Sequence, residues 1–193
     1  MPRYVDHDQR KRDILNATCK VLGQGGLSAL SFRAVAKELG GSTTLVTHYF
    51  GSQAELLDGL AGWLVDDWEA DLADLETGVD DPHERLRLFL RWLIPDSEES
   101  LLQERARIGL LAERQDRTEA VEMFDIWDRR MRELIRQHLK PIVPKKELEM
   151  RVDMIRVMTN GLTFSAIEHP DGWTTDQMWA VLDQSLSDMG LTA

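Results

Sequence analysis

Between residues 43 and 48, Thr43, Thr44, Thr47 and His48 are spaced so that a helix would turn all four to one side. Hydroxyls and an imidazole are short donors and acceptors, able to reach base edges and phosphates in a major groove. The bland reading of the same pattern is a helical hairpin with a solvated threonine face, and spacing alone leaves both open. Catalytic constellations are missing from the chain. The residues three before the five histidines are Tyr4, Leu45, Asp80, Ile135 and Ala166, so there is no Glu-x-x-His pair for a di-iron site. HExxH, GxxxxGK[ST] and GxSxG are also absent. Cys19, the single cysteine, falls on or beside the apolar side of a predicted first helix, where it reads as a small buried hydrophobe. Asp66-Asp67, Asp80-Asp81 and Glu98-Glu99 are adjacent acids and read as solvated surface. No catalytic residue, metal ligand or cofactor is expected. A helical-bundle enzyme and a protein-binding adaptor are the alternatives, and neither would bind DNA sequence-specifically.

Two short helices must position these four residues. Val35, Ala36, Leu39, Val46 and Tyr49 fall where such helices face each other, Ala36 is small at their crossing, and Gly40 permits the turn between them. Ser31 caps the first, running through Leu39, and Ser42 caps the second, reaching about Phe50. Upstream, Ile14, Ala17, Val21 and Leu22 mark a helix closed by Gly25-Gly26. Downstream, Ser52 and Glu55 form a capping box opening a long fourth helix with Leu57, Leu60, Leu64, Trp68, Leu72 and Leu75 on one stripe. Asp81-Pro82 starts a fifth helix that Pro95 stops, Asp96 or Ser97 a sixth, and a seventh ends before Pro141. An eighth runs from about Lys145 to Glu168, and Thr174 with Gln177 opens a ninth to about Met189. The expectation is an all-α chain of about nine helices, an N-terminal three-helix helix-turn-helix domain over 1–51 and a helical domain over 52–193.

The chain has 193 residues, 42% of them hydrophobic, and a formal charge of −11, a composition that fits a globular protein with a real core. Its charge is unevenly placed: residues 1–51 balance to +3 and residues 52–193 to −14. Screening over about 8 Å at physiological salt lets a basic end meet phosphates despite a distant acidic body. Arg3, Arg10, Lys11 and Arg12 form a basic N-terminal arm. A lone cysteine excludes an internal disulfide, no stretch is long and apolar enough to span a bilayer, and the N-terminus carries no secretory h-region; a cytoplasmic protein is expected.

The run GLSALSFRAVAKELGGSTTLVTHYFGSQAELL resembles the DNA-binding region of the TetR family of bacterial one-component repressors. The shared features are Gly26, Ser31, Ala36, Gly40, Ser42, Tyr49-Phe50, Ser52, Glu55 and Leu56. Residues 47–51, Thr-His-Tyr-Phe-Gly, are similar to the branch that contains repressors of choline-to-betaine synthesis, and Gly161-Leu162 followed by a proline-containing turn and a final helix is similar to that branch's C-terminal domain. The resemblance implies a recognition helix over 43–49 in which Thr43, Thr44, Thr47, His48 and Tyr49 contact DNA. It places Arg33 for a phosphate or a guanine edge, with Ser31, Ser42, Ser52 and Gln53 completing the DNA-facing set. Two departures stand out: many relatives carry tyrosine where this chain has Thr47, and lysine where it has Gln53.

For the acidic body the resemblance implies ligand sensing and dimerisation. Leu148, Val152, Ile155, Leu162 and Ala166 make one apolar stripe on the eighth helix, and Met154, Val157, Met158, Gly161 and Phe164 widen it around the cylinder. A helix apolar on most sides needs cover on most sides. With the ninth helix it would form a four-helix bundle between two copies, assigning dimerisation to Ile155, Leu162, Ala166, Met178, Val181, Leu182, Leu186 and Met189. Trp63, Trp92, Phe124, Trp127, Met158 and Asn160 are the candidate lining of a pocket for an apolar or cationic small molecule. The expected partners are a double-stranded operator, a small-molecule effector and a second copy of the chain, with no membrane.

Overall fold

The computed structural model describes residues 7–112 and 118–192, and their side chains except those of 64–68, 110, 112 and 118–123. The positions expected for Arg3, Leu64 and Trp68 therefore lie outside the described residues. Among those described, the chain is all-α: α1 (His7–Ala29), α2 (Phe32–Glu38), α3 (Thr43–Tyr49), α4 (Gln53–Leu75), α5 (Pro82–Trp92), α6 (Glu98–Ala112), α7 (Thr118–Leu139), α8 (Leu148–Glu168) and α9 (Thr175–Asp188). Helix starts follow from local chemistry. The side chains of Ser31, Ser42, Asp81 and Thr174 each accept the amide hydrogen three residues on, satisfying a donor that the first turn leaves free. α1 is interrupted rather than closed at Gly26, whose φ of 64° and ψ of −168° only glycine adopts without strain, and a short helical turn continues to Ala29.

The chain divides into two compact units, residues Met1–Asp66 with Leu102–Trp127, and residues Asp67–Leu101 with Asp128–Ala193. This differs from a cut at 51/52, and close packing shows why. A Cβ on Gly23 would lie 2.6 Å from the Leu102 side chain, and one on Gly109 would lie 3.8 Å from Gly26 Cα, so α6 packs against α1. In this first unit Ile14, Leu15, Leu22, Val35, Val46, Phe50 and Leu56 are fully or nearly fully buried. Phe50 seats against Gly59, where a Cβ would come within 2.7 Å of its ring. Burial of Leu, Ile or Phe side chains, about 1.5–3 kcal/mol each, holds the short α2 and α3 helices, which are too short to be stable alone.

The second unit is built around Phe89, Leu86, Leu90, Ile135, Val152, Ile155 and Leu182, drawn from α5, α7, α8 and α9. Its surface is laced with ion pairs. Arg87 and Arg91 both engage Asp183, and Arg91 lies over the Trp179 ring at 4.9 Å, joining α5 to α9. Arg136 takes Glu149 through two hydrogen bonds of 2.8 and 2.9 Å.

Candidate nucleic-acid interface

Helices α2 and α3 present the predicted face outward. Val46 is fully buried and fixes the rotation of α3, so Thr43, Thr44, Thr47 and His48 are all exposed. Thr47 gives its hydroxyl hydrogen to the Thr44 carbonyl at 3.2 Å, which leaves its oxygen free to accept. Arg33 is exposed on α2, which Val35 and Ala36 anchor. This is a ridge of short polar groups with a guanidinium beside it, on a rigid hydrophobic base, suited to a groove carrying donors, acceptors and negative charge.

Other members of the expected set serve the scaffold. Ser31 Oγ accepts from Ala34 N at 3.1 Å and Ser42 Oγ from Leu45 N at 3.3 Å, so both hydroxyls cap their helices. Gln53 gives its side-chain amide to the Leu30 carbonyl at 2.9 Å, clipping the start of α4 to the α1–α2 link. The α4 capping box is shifted. Glu55 N donates to Ser52 Oγ at 3.1 Å, but the Glu55 carboxylate takes the Gly51 amide at 2.8 Å rather than that of Ser52. Tyr49 is half-buried, and its hydroxyl lies 3.0 Å from Nδ1 of His7. His7 was not among the expected site residues. Its only sequence signal is its place in the basic arm. In that arm Lys11 lies 5.9 Å from the Phe50 ring centre and Arg10 pairs with Asp13 at 3.6 Å, so part of the positive charge is spent locally.

The six expected ligand residues are divided between the two units. Trp63, Phe124 and Trp127 belong to the first unit, where Phe124 and Trp127 pack edge to face at 5.5 Å and the Trp127 indole donates to the Ala61 carbonyl at 3.2 Å. Trp92, Met158 and Asn160 belong to the second: Trp92 and Met158 pack on its core, and Asn160 accepts from Arg156 at 2.9 Å. A cavity of about 220 Å³ in the second unit is lined by Leu72, Leu134, Glu76, Arg85, Arg130 and their neighbours, and by none of the six.

Most of the expected dimerisation set is buried in the chain itself. Ile155, Leu162, Ala166, Met178, Leu182 and Leu186 are buried within a single chain, where they form its own core, and Met189 packs on that core. Only Val181 is exposed, at 38%. The apolar surface lies on the other stripe of α8: Val157 is 72%, Met150 65% and Phe164 51% exposed, with Met154 beside them.

Residues 14–60 match the model for bacterial regulatory proteins of the tetR family, and residues 82–190 match that for the C-terminal domain of BetI-type transcriptional repressors. The chain belongs to the TetR family. It is a DNA-binding transcriptional regulator with a BetI-type C-terminal domain, and the family and its homologues are regulators, not enzymes. Among TetR-family relatives, the regulator PksA of Bacillus subtilis is 34% identical over 102 residues, covering 52% of this chain and 49% of PksA, so that alignment spans about half of each. The regulator BetI of Rhizobium meliloti is 26% identical over 166 residues, covering 84% of this chain and 80% of BetI. A putative transcriptional regulator from Saccharomonospora viridis, solved in complex with choline, shares the fold with a TM-score of 0.80 at 16% identity, covering 94% of this chain and 97% of that one.

Proposed function

We propose that this TetR-family chain is a cytoplasmic repressor that binds a pseudo-palindromic operator as a homodimer and is released from it by a small molecule. The outward face of α3 carries the proposal: Thr43, Thr44, Thr47 and His48 are exposed on a helix whose buried side is locked by Val46, and Arg33 stands exposed on α2. Each copy reads one half-site with this face, Arg33 meeting a phosphate or a guanine edge. Ser31, Ser42 and Ser52 hold the helix starts, and Tyr49 and Gln53 support the reading helix from behind. Dimerisation falls to Met150, Met154, Val157 and Phe164 with Val181, because apolar surface of that extent on a helix invites cover, and a second copy supplies a matching surface by two-fold symmetry. No helix among the described residues is long and apolar enough to cross a membrane.

Release follows from linkage. A small molecule that favours a conformer with the reading helices out of register lowers DNA affinity, and DNA must then lower affinity for that molecule by the same factor. A gel shift across a salt series with DNA from upstream of the chain's own gene tests the reading. A competitor-resistant band that weakens with salt and is weakened further in Arg33→Ala is expected. A protein that gives no specific band is an adaptor or something else, and the proposal fails.

A further inference from the structure

We propose that the cavity in the second unit, walled by Leu72, Ala73 and Leu134 and edged by Arg85 and Arg130, binds a small organic monocarboxylate with a short apolar tail. The proposal rests on the reading of the chain as an effector-responsive regulator, and names the chemical class of the effector.

Hydrogen bonding decides the sign of the ligand's charge. Arg130 commits its Nε to Glu69, and Arg85 commits Nε and one terminal nitrogen to Glu76. Both terminal nitrogens of Arg130 and the second of Arg85 meet no acceptor among the described residues. Of the two carboxylates in the lining, Glu69 accepts from Arg130 on one oxygen and keeps the other for a ligand, and Glu76 has none to spare. Both oxygens of Glu76 are taken, one by Arg85 and the other by His138 Nε2. His138 cannot turn away, because Nδ1 lies 2.7 Å from the Leu134 carbonyl and the ring stacks on Phe89 at 4.1 Å and 9°. Burial pushes the Glu76 carboxyl up, but the hydrogen bonds from Arg85 and His138 outweigh it and hold it below the usual range, so it stays an anion occupied by these partners. Free donors therefore outnumber free acceptors around the cavity, and a guanidinium fork fits a carboxylate with two parallel bonds.

Walls and size set the rest of the ligand. Leu72, Ala73, Leu134, Pro82 and Pro141 supply no side-chain polar atom, and 220 Å³ is below the usual range of about 300–1,000 Å³ for drug-sized pockets. A quaternary ammonium fits poorly among the described lining residues, since such cations are held by aromatic faces and those residues include no Trp, Tyr or Phe.

Calorimetric titration of the full chain with sodium hexanoate tests the site, with choline chloride and sodium chloride as comparison titrants. Saturable binding of one hexanoate per chain is expected, at least tenfold weaker in Arg130→Gln, partly restored in Arg130→Lys, and unchanged in Arg129→Gln, an exposed arginine outside the lining. Arg85→Gln, expected to weaken binding several-fold, keeps the test available if Arg130→Gln does not fold. Absence of saturable hexanoate binding, equal losses in the Arg129 and Arg130 variants, or choline binding indifferent to Arg130→Gln overturns the site. A chain that binds hexanoate yet gives no specific DNA band overturns the regulator reading and leaves the site standing.

Discussion

The Tyr49 hydroxyl at the end of α3 lies 3.0 Å from His7 Nδ1 at the start of α1, and the two rings are tilted at 50° with centres 5.9 Å apart. Tyr49 also meets His48 edge-on at 5.2 Å, so the contact between first and third helices reaches a residue of the exposed row proposed to face DNA. His7→Ala and Tyr49→Phe should each weaken operator binding by roughly 0.5–1.5 kcal/mol, the net worth of one hydrogen bond. The double variant should cost no more than the larger single one. Gel-shift titration of all four proteins checks this; additive losses would mean that the two side chains act separately.

Arg33→Ala should weaken specific binding by about 1–3 kcal/mol while circular dichroism stays unchanged, since its side chain is exposed. If Arg33 holds a phosphate, the slope of log affinity against log salt falls by about one. If it reads guanine, the slope holds and preference at one base pair relaxes. Full affinity with full preference would remove Arg33 from the interface.

The two sides of α8 should respond differently. Val157→Glu places a charge on a 72% exposed position and should leave a folded monomer in sedimentation equilibrium. Ile155→Ala, at a fully buried position, should lower stability by about 2–5 kcal/mol and reveal the packing role of that stripe. A Val157→Glu protein that still sediments as a dimer would move the interface elsewhere.

How much of this was legible beforehand depended on how local the cause was. Ser31, Ser42, Asp81 and Thr174 cap helices through bonds spanning three residues, so spacing alone found them. The outward row Thr43, Thr44, Thr47 and His48 followed from the apolar Val46 opposite. α8 is apolar on two sides, and periodicity cannot tell which side meets its own chain. The charged cavity left a trace that aromatic size obscured: Glu69 and Glu76 are two helical turns apart, as are Arg130 and Gln137, with Leu72 and Leu134 between them. Which partner each charge would choose depended on tertiary packing, which no spacing records.

Acid should destabilise the second unit through Asp183 as well as Glu76. Burial raises the Asp183 carboxyl, but hydrogen bonds from Arg87 and Arg91 outweigh it, and its folded-state value lies below the ordinary one. A depressed carboxylate contributes its stability above the unfolded value, about 3.9 for aspartate, and loses it as pH falls through the folded value. Urea unfolding from pH 7 to pH 3 should therefore show stability falling below about pH 4, and Asp183→Asn should flatten that fall and lower the neutral-pH plateau. An unchanged pH profile in Asp183→Asn would dissociate the pair from stability.

The mass of the complex on a defined operator duplex, by sedimentation velocity, tests the central claim most directly. Two chains per duplex are expected at saturation, with Val157→Glu binding the same DNA far more weakly and without cooperativity. One chain per duplex at full affinity, or two chains formed equally well by Val157→Glu, would contradict a homodimer that reads paired half-sites through α3.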